Sequence, residues 1–154
     1  MRMPEIDLEK VKEYIKGCSA ETAVYVGSDS KCFKQDKVSK VAYITVVVIH
    51  IDGNKGAKVF KGLNIEKHHG SLRQRLMTEV GYAATAAYEI SEVVGDRPFE
   101  VHLDLSPNPN FKSSTVVKEA MGYIIGTVGF YPHVKPDSIM ASNCADKWAK
   151  LCAK

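Results

Sequence analysis

The spacing of hydrophobic residues along this chain is helical at first, then strand-like, then helical again. Residues 5–16 (EIDLEKVKEYIK) set Ile6, Val11, Tyr14 and Ile15 at helical spacings and predict a short helix ended by Gly17. Residues 22–29 (TAVYVGSD) are β-branched and aromatic and predict a strand that closes at Asp29. Residues 40–51 (KVAYITVVVIHI) carry the strongest strand signal. The Asp52-Gly53-Asn54-Lys55-Gly56 turn leads from them into a third strand over 57–63, so three consecutive antiparallel strands are expected. From residue 71 the period becomes helical: Leu72, Leu76, Val80, Ala83, Ala87, Ile90 and Val94 line one face, with Ser71 as N-cap. Gly95 to Pro98 ends that helix, residues 99–105 (FEVHLDL) alternate as a fourth strand, and a Ser-Pro-Asn-Pro-Asn loop follows. Ser113 or Ser114 caps a second helix through Val128, which Gly129 breaks, and residues 130–134 form a short fifth strand. Pro136-Asp137 opens a C-terminal helix with Ala141, Cys144, Ala145, Trp148 and Cys152 on one face. The order β-β-β-α-β-α-β-α, after a short N-terminal helix, predicts an α/β fold built on a mixed sheet with crossover helices.

The length of 154 residues fits one domain spanning 1–154, with 1–18 as an N-terminal helical extension. A hydrophobic content of 45% is enough for a core that needs neither disulfides nor a structural metal. The longest apolar run, residues 44–49, is interrupted by Thr45 and is far short of a membrane span. The N-terminal residues lack the hydrophobic stretch of an export signal, and the four cysteines form no CxxC pair, so a cytoplasmic protein with reduced thiols is expected. The same spacing argues against zinc, since the adjacent His68-His69 have no cysteine near them in sequence. No GxxxxGK[ST] loop accompanies Lys31, so no nucleotide cofactor is expected, and neither GxSxG nor HExxH occurs.

A net charge of +3 is modest, but residues 31–75 hold ten Lys/Arg against three acids, a local balance of +7. The remainder is net acidic. Such asymmetry fits a protein that holds a polyanion on one surface, and nucleic acid is the expected partner.

Three acids stand where apolar residues belong. Glu79 lies seven residues, about 700°, beyond Leu72 and so within about 20° of the apolar stripe of its helix. A glutamate there is expected to be paired, metal-bound or at the open end of the stripe. Asp29 and Asp104 sit near the ends of buried-looking strands, where aspartate is depleted. If those strands are neighbours, the three carboxylates meet, and hard oxygen donors crowded together suit Mg²⁺ or Mn²⁺.

With these features in hand, the chain resembles a known family. YVGSDSK (25–31), LRQRLMTEV (72–80), VHLDLSPNPNFKSS (101–114), VKEAMGYIIG (117–126) and VKPDSIMASNCADK (134–147) look like the YkuK-type family of predicted ribonuclease H-like nucleases. The resemblance covers about residues 22–150. It implies a ribonuclease H-like fold and metal-dependent phosphodiester hydrolysis, with Asp29, Glu79 and Asp104 as metal ligands and Asp146 as the fourth acid. Asp137 competes with Asp146, although its place after Pro136 reads as a helix N-cap. The chain lacks the basic insertion of ribonuclease H proper.

The chemistry expected of such a cluster is two-metal hydrolysis, one ion activating water and the other stabilising the leaving oxygen. Asp29 would bridge the two ions, Glu79 and Asp104 would take one each, and Asp146 would help position the water. Ser30 and Lys31 after Asp29, and Asn108, Asn110 and Lys112 beyond Asp104, are candidate phosphate contacts. His102 is a candidate supporting residue beside Asp104, His68 and His69 read as a loop pair, and Trp148 reads as core. The rival expectation is a non-catalytic nucleic-acid-binding or protein-interaction module that keeps the fold.

Overall fold

The computed structural model describes residues 3–68 and 70–135. Helix α1 (Leu8–Lys16) precedes three strands, β1 (Ala23–Gln35), β2 (Val38–His50) and β3 (Ala57–Lys67). Helix α2 (Leu72–Val94), strand β4 (Phe99–Leu103) and helix α3 (Val117–Val128) complete the described elements. The sheet order is β3-β2-β1-β4, antiparallel except for the parallel β1–β4 pair. The expected mixed sheet with crossover helices is therefore present. The stretch expected to form a C-terminal helix, with Asp137, Asp146, Trp148, Cys144 and Cys152, lies outside the described residues, as does His69. No described helix is long and apolar enough to cross a membrane.

Helix α2 begins where expected. The Ser71 side chain accepts from the Gln74 amide while the Gln74 side chain accepts from the Ser71 amide, a reciprocal capping box. Its alanines at 83, 84, 86 and 87 are all buried and let the helix lie close on the sheet. The main core packs α1, α2 and α3 against Val24, Val26, Val47, Ile49, Val101 and Leu103. A second apolar group, Ala42, Ile44, Val46, Val48 and Leu63, covers the opposite sheet face. The chain before α1 crosses β3 so closely that a Cβ on Gly62 would meet the Ile6 amide nitrogen at 1.9 Å, and Leu63 donates to the Pro4 carbonyl there.

Four expectations are corrected. Strand β1 does not close at Asp29; it continues to Gln35, paired along its length with β2 through a two-residue turn at Asp36-Lys37, both with positive φ. Strand β4 ends at Leu103 rather than 105. The fifth strand reduces to one parallel bridge, His102 with His133, beside a Pro132 that has no amide to extend the ladder. Neither Ser113 nor Ser114 caps α3: a 3₁₀ turn over Lys112–Val116 leads into the helix without a side-chain cap, and the Ser113 hydroxyl accepts from the Ser106 amide instead.

Candidate functional site

The last β1–β4 pair is Ser28 with Leu103, so Asp29 and Asp104 are the next residues of two parallel neighbours. From Asp29 onward β1 pairs with β2 on one side, and no strand among the described residues pairs with it on the other. The end of a short parallel strand thus brings two acids to one level of the sheet.

Helix α2 crosses this level. The Ser28 hydroxyl donates to the Glu79 backbone carbonyl, and the Ser30 hydroxyl donates to Glu79 Oε2. Glu79 is 5% exposed and Asp29 6%, so both carboxyl groups are withdrawn from water. Burial, followed by the Asp29 charge, pushes the Glu79 carboxyl well above the usual range; Asp104 adds to this, while the Ser30 bond and Arg75 oppose it. Strand alternation sets Ser28 and Ser30 on the α2 face and Asp29, opposite Ile44, on the other. Asp29 Oδ1 accepts from the Ser30 amide at 2.8 Å, folding its side chain along the strand. Strand alternation thus sets Asp29 on the face away from α2, yet its charge still acts on Glu79.

Asp104 is partly buried, and Lys135 Nζ lies 2.6 Å from its Oδ1. Lys135 is held there by its own amide, which donates to the Leu105 carbonyl at 2.8 Å. Among the described residues, no three His, Cys, Asp or Glu side chains are grouped closely enough to hold one ion. By donor type the residues nevertheless fit a hard divalent cation: the carboxyl groups are oxygen donors, and Glu79 is buried within reach of the Asp29 and Asp104 charges. Asp29, Glu79 and Asp104 are the residues that could hold it.

The remaining sequence candidates divide. Ser30 is bound to Glu79, and Lys31 is exposed beside it. Asn108, Asn110 and Lys112 are exposed, and the Asn108 side chain accepts from the Asn110 amide, closing its own turn. His102 is buried, but its neighbours are Tyr25, Glu100 and His133; its ring stacks on His133 at 5.2 Å. Burial pushes its pKa down, and Glu100 at 3.6 Å is too far for a hydrogen bond. Sequence reading passed over Ser28 and Arg75. Serines two apart on the helix-facing side of a strand were one available signal, and the i, i+4 spacing of Arg75 and Glu79 was the other.

Comparison with known proteins agrees with this topology. The chain is 24% identical to the uncharacterized protein YkuK of Bacillus subtilis (strain 168), over 93% of this chain and 88% of that protein. No solved structure gives a significant match. A family model described as Ribonuclease H-like matches residues 7–150, nearly the whole chain, and the chain belongs to that ribonuclease H-like family.

Proposed function

We propose that this protein is a metal-dependent nuclease that hydrolyses phosphodiester bonds of nucleic acid. Its family suggests a nuclease. The observation that carries the proposal is Glu79, a buried carboxyl group in the field of Asp29 and Asp104. Nothing in the packing of α2 requires an acid there, and a hydrophobic residue would remove the desolvation cost.

In this reading Asp29, Glu79 and Asp104 hold Mg²⁺ or Mn²⁺, with two ions expected and Asp146 as the fourth acid. The ions, when bound, would lower the pKa of the attacking water and offset charge on the leaving oxygen. The chain's own contribution is orientation. Ser30 fixes Glu79 by donating to Oε2. The Ser30 amide fixes Asp29 in turn, so one residue positions two carboxyl groups. Lys135 pairs with Asp104, and a cation held by Asp104 would compete with that pair.

The test is a panel of labelled RNA, DNA, hybrid and branched substrates incubated with Mg²⁺ or Mn²⁺. Cleavage by the parent and its loss, by at least about a hundredfold, in Asp29→Asn is the expected result. Cleavage of none of these substrates, or equal cleavage by Asp29→Asn, overturns the proposal.

The Lys135–Asp104 pair favours a second reading, in which the chain supplies its own counter-charge and the domain binds nucleic acid without cutting it. Mn²⁺ then gives no rise in melting temperature, whereas a specific site must give one by mass action.

A further inference from the structure

A cleft of about 390 Å³ lies between the N-terminal turns of α2 and the ends of β2 and β3. Its lining includes Tyr43, Glu66, Lys67, His68, Arg73 and Arg75. Three of these carry positive charge and one negative, within the segment that holds the chain's basic excess. Two of the charges are already satisfied: Glu66 accepts from the Tyr82 hydroxyl, and Arg73 forms a two-point pair with Glu119. Arg75 is not. It donates through Nη1 to Cys32 Sγ, and its Nε is buried with no hydrogen-bond partner among the described residues. The guanidinium as a whole is only half-buried and lines the cleft, and a phosphate oxygen is the acceptor its planar fork fits best.

The cleft also adjoins the acids. Arg75 is one helical turn from Glu79, and Tyr43, which lines the cleft, pairs across the strands with Ser30, the residue bonded to Glu79. The charges of Glu79 and Asp29 both reach the Arg75 guanidinium.

We propose that this cleft is a subsite for the backbone phosphate of a single nucleic-acid strand, next to the bond to be cut, with Arg75 and Lys67 as its phosphate contacts. It rests on the nuclease reading for the identity of the strand as substrate. The cleft has room for one phosphate and its sugar. Lys67 is exposed at the end of β3 and supplies a steering charge, while Arg75, half-buried, supplies the directed hydrogen bonds.

The experiment measures binding of a short fluorescein-labelled single-stranded oligonucleotide by anisotropy in EDTA, across a salt series, with cleavage in Mn²⁺ assayed separately. Arg75→Gln should bind about tenfold or more weakly. Its log K against log salt should flatten by about 0.7 for the lost contact, and Lys67→Gln should flatten similarly. Arg75→Lys should recover the salt slope but only part of the affinity, because it keeps the charge without the fork. Lys16→Gln, on α1, should bind as the parent does. Should Arg75→Gln fail to fold, Lys67→Gln and Arg75→Lys carry the test. Parental affinity and slope in Lys67→Gln and the Arg75 variants overturn the subsite, even if the parent cleaves; absence of binding at any salt also overturns it. Weakened variants alongside a parent that cuts nothing would uphold the subsite and sink the nuclease reading alone.

Discussion

The two halves of α2 follow one helical stripe and bury different chemistry. Glu79 and Ala86 are seven residues apart, on the same face, and both are almost fully buried. Toward its C-terminus the helix lays Ala83, Ala87, Ile90 and Val94 into the core with Val24, Val26 and Val101 of the sheet and Val11 and Ile15 of α1. Toward its N-terminus it still buries Leu76 and Val80 but also meets Ser28, Ser30 and Cys32 of β1 and presents Glu79 and Arg75 to them. The change from apolar to polar occurs at the same level on two elements distant in sequence. Apolar packing would have served at both ends, so the polar end is maintained at a stability cost that its chemistry must justify.

The comparison breaks first at its apolar end. Ile90→Ala removes a fully buried side chain and should cost about 2–5 kcal/mol by denaturant unfolding. That loss should be the same in EDTA and in Mn²⁺, because Ile90 lies on the half away from Glu79. A loss that disappears when Mn²⁺ is added would show the two halves to be one energetic unit.

The polar end should respond in the opposite direction. Glu79→Gln keeps the shape and the bond from Ser30 but removes a charge that burial and Asp29 oppose. Without metal the variant should melt a few degrees above the parent at neutral pH, the scale that about 1 kcal/mol produces in a chain of this size. Because the folded-state pKa of Glu79 is raised, the folded protein binds the proton more tightly than the unfolded chain. Stability is therefore lost as pH rises from the ordinary carboxylate range through the folded value. The melting difference between Glu79→Gln and the parent should be smallest near pH 4 and grow as pH rises. A difference that stays flat or shrinks with pH would mean Glu79 is not strained by its surroundings.

The same two halves mark what was legible in the sequence. The apolar half was readable, because a period of 3.6 residues with a capping Ser71 admits few alternatives. The β2–β3 hairpin was readable from its Asp-Gly-Asn-Lys-Gly turn. The second half of β1 was not: Lys31 to Lys40 reads as a solvated loop, and the turn at Asp36-Lys37 adopts positive φ without a glycine to announce it. Glu79 was found because an acid on an apolar stripe conflicts with its surroundings. Arg75 was missed because a cation on a helix conflicts with nothing until the strand beneath is known to carry Ser30 and Cys32. The level of Asp29 and Asp104 follows from the β1–β4 register, which only the folded chain supplies.

The smallest expected effect is at Asp104, and it is the sharpest test because two opposing terms meet there. Asp104→Asn loses the ion pair with Lys135, but both side chains retain solvent, 23% and 54% exposed, so the pair contributes roughly 0–1 kcal/mol. The same substitution removes one of the charges that disfavour ionisation of Glu79 and so returns some stability. In EDTA the two terms should nearly cancel, leaving unfolding within about 1 kcal/mol of the parent. In Mn²⁺ the parent should gain melting temperature, while Asp104→Asn should gain little and cut nothing. An aspartate that merely finishes a strand predicts the reverse, a loss of stability at every metal concentration with cleavage intact. Denaturant curves in EDTA and in Mn²⁺, with a cleavage assay on the same preparations, separate the two. Early unfolding in EDTA combined with parental cleavage would remove Asp104 from the site and leave Asp29 and Glu79 to account for it.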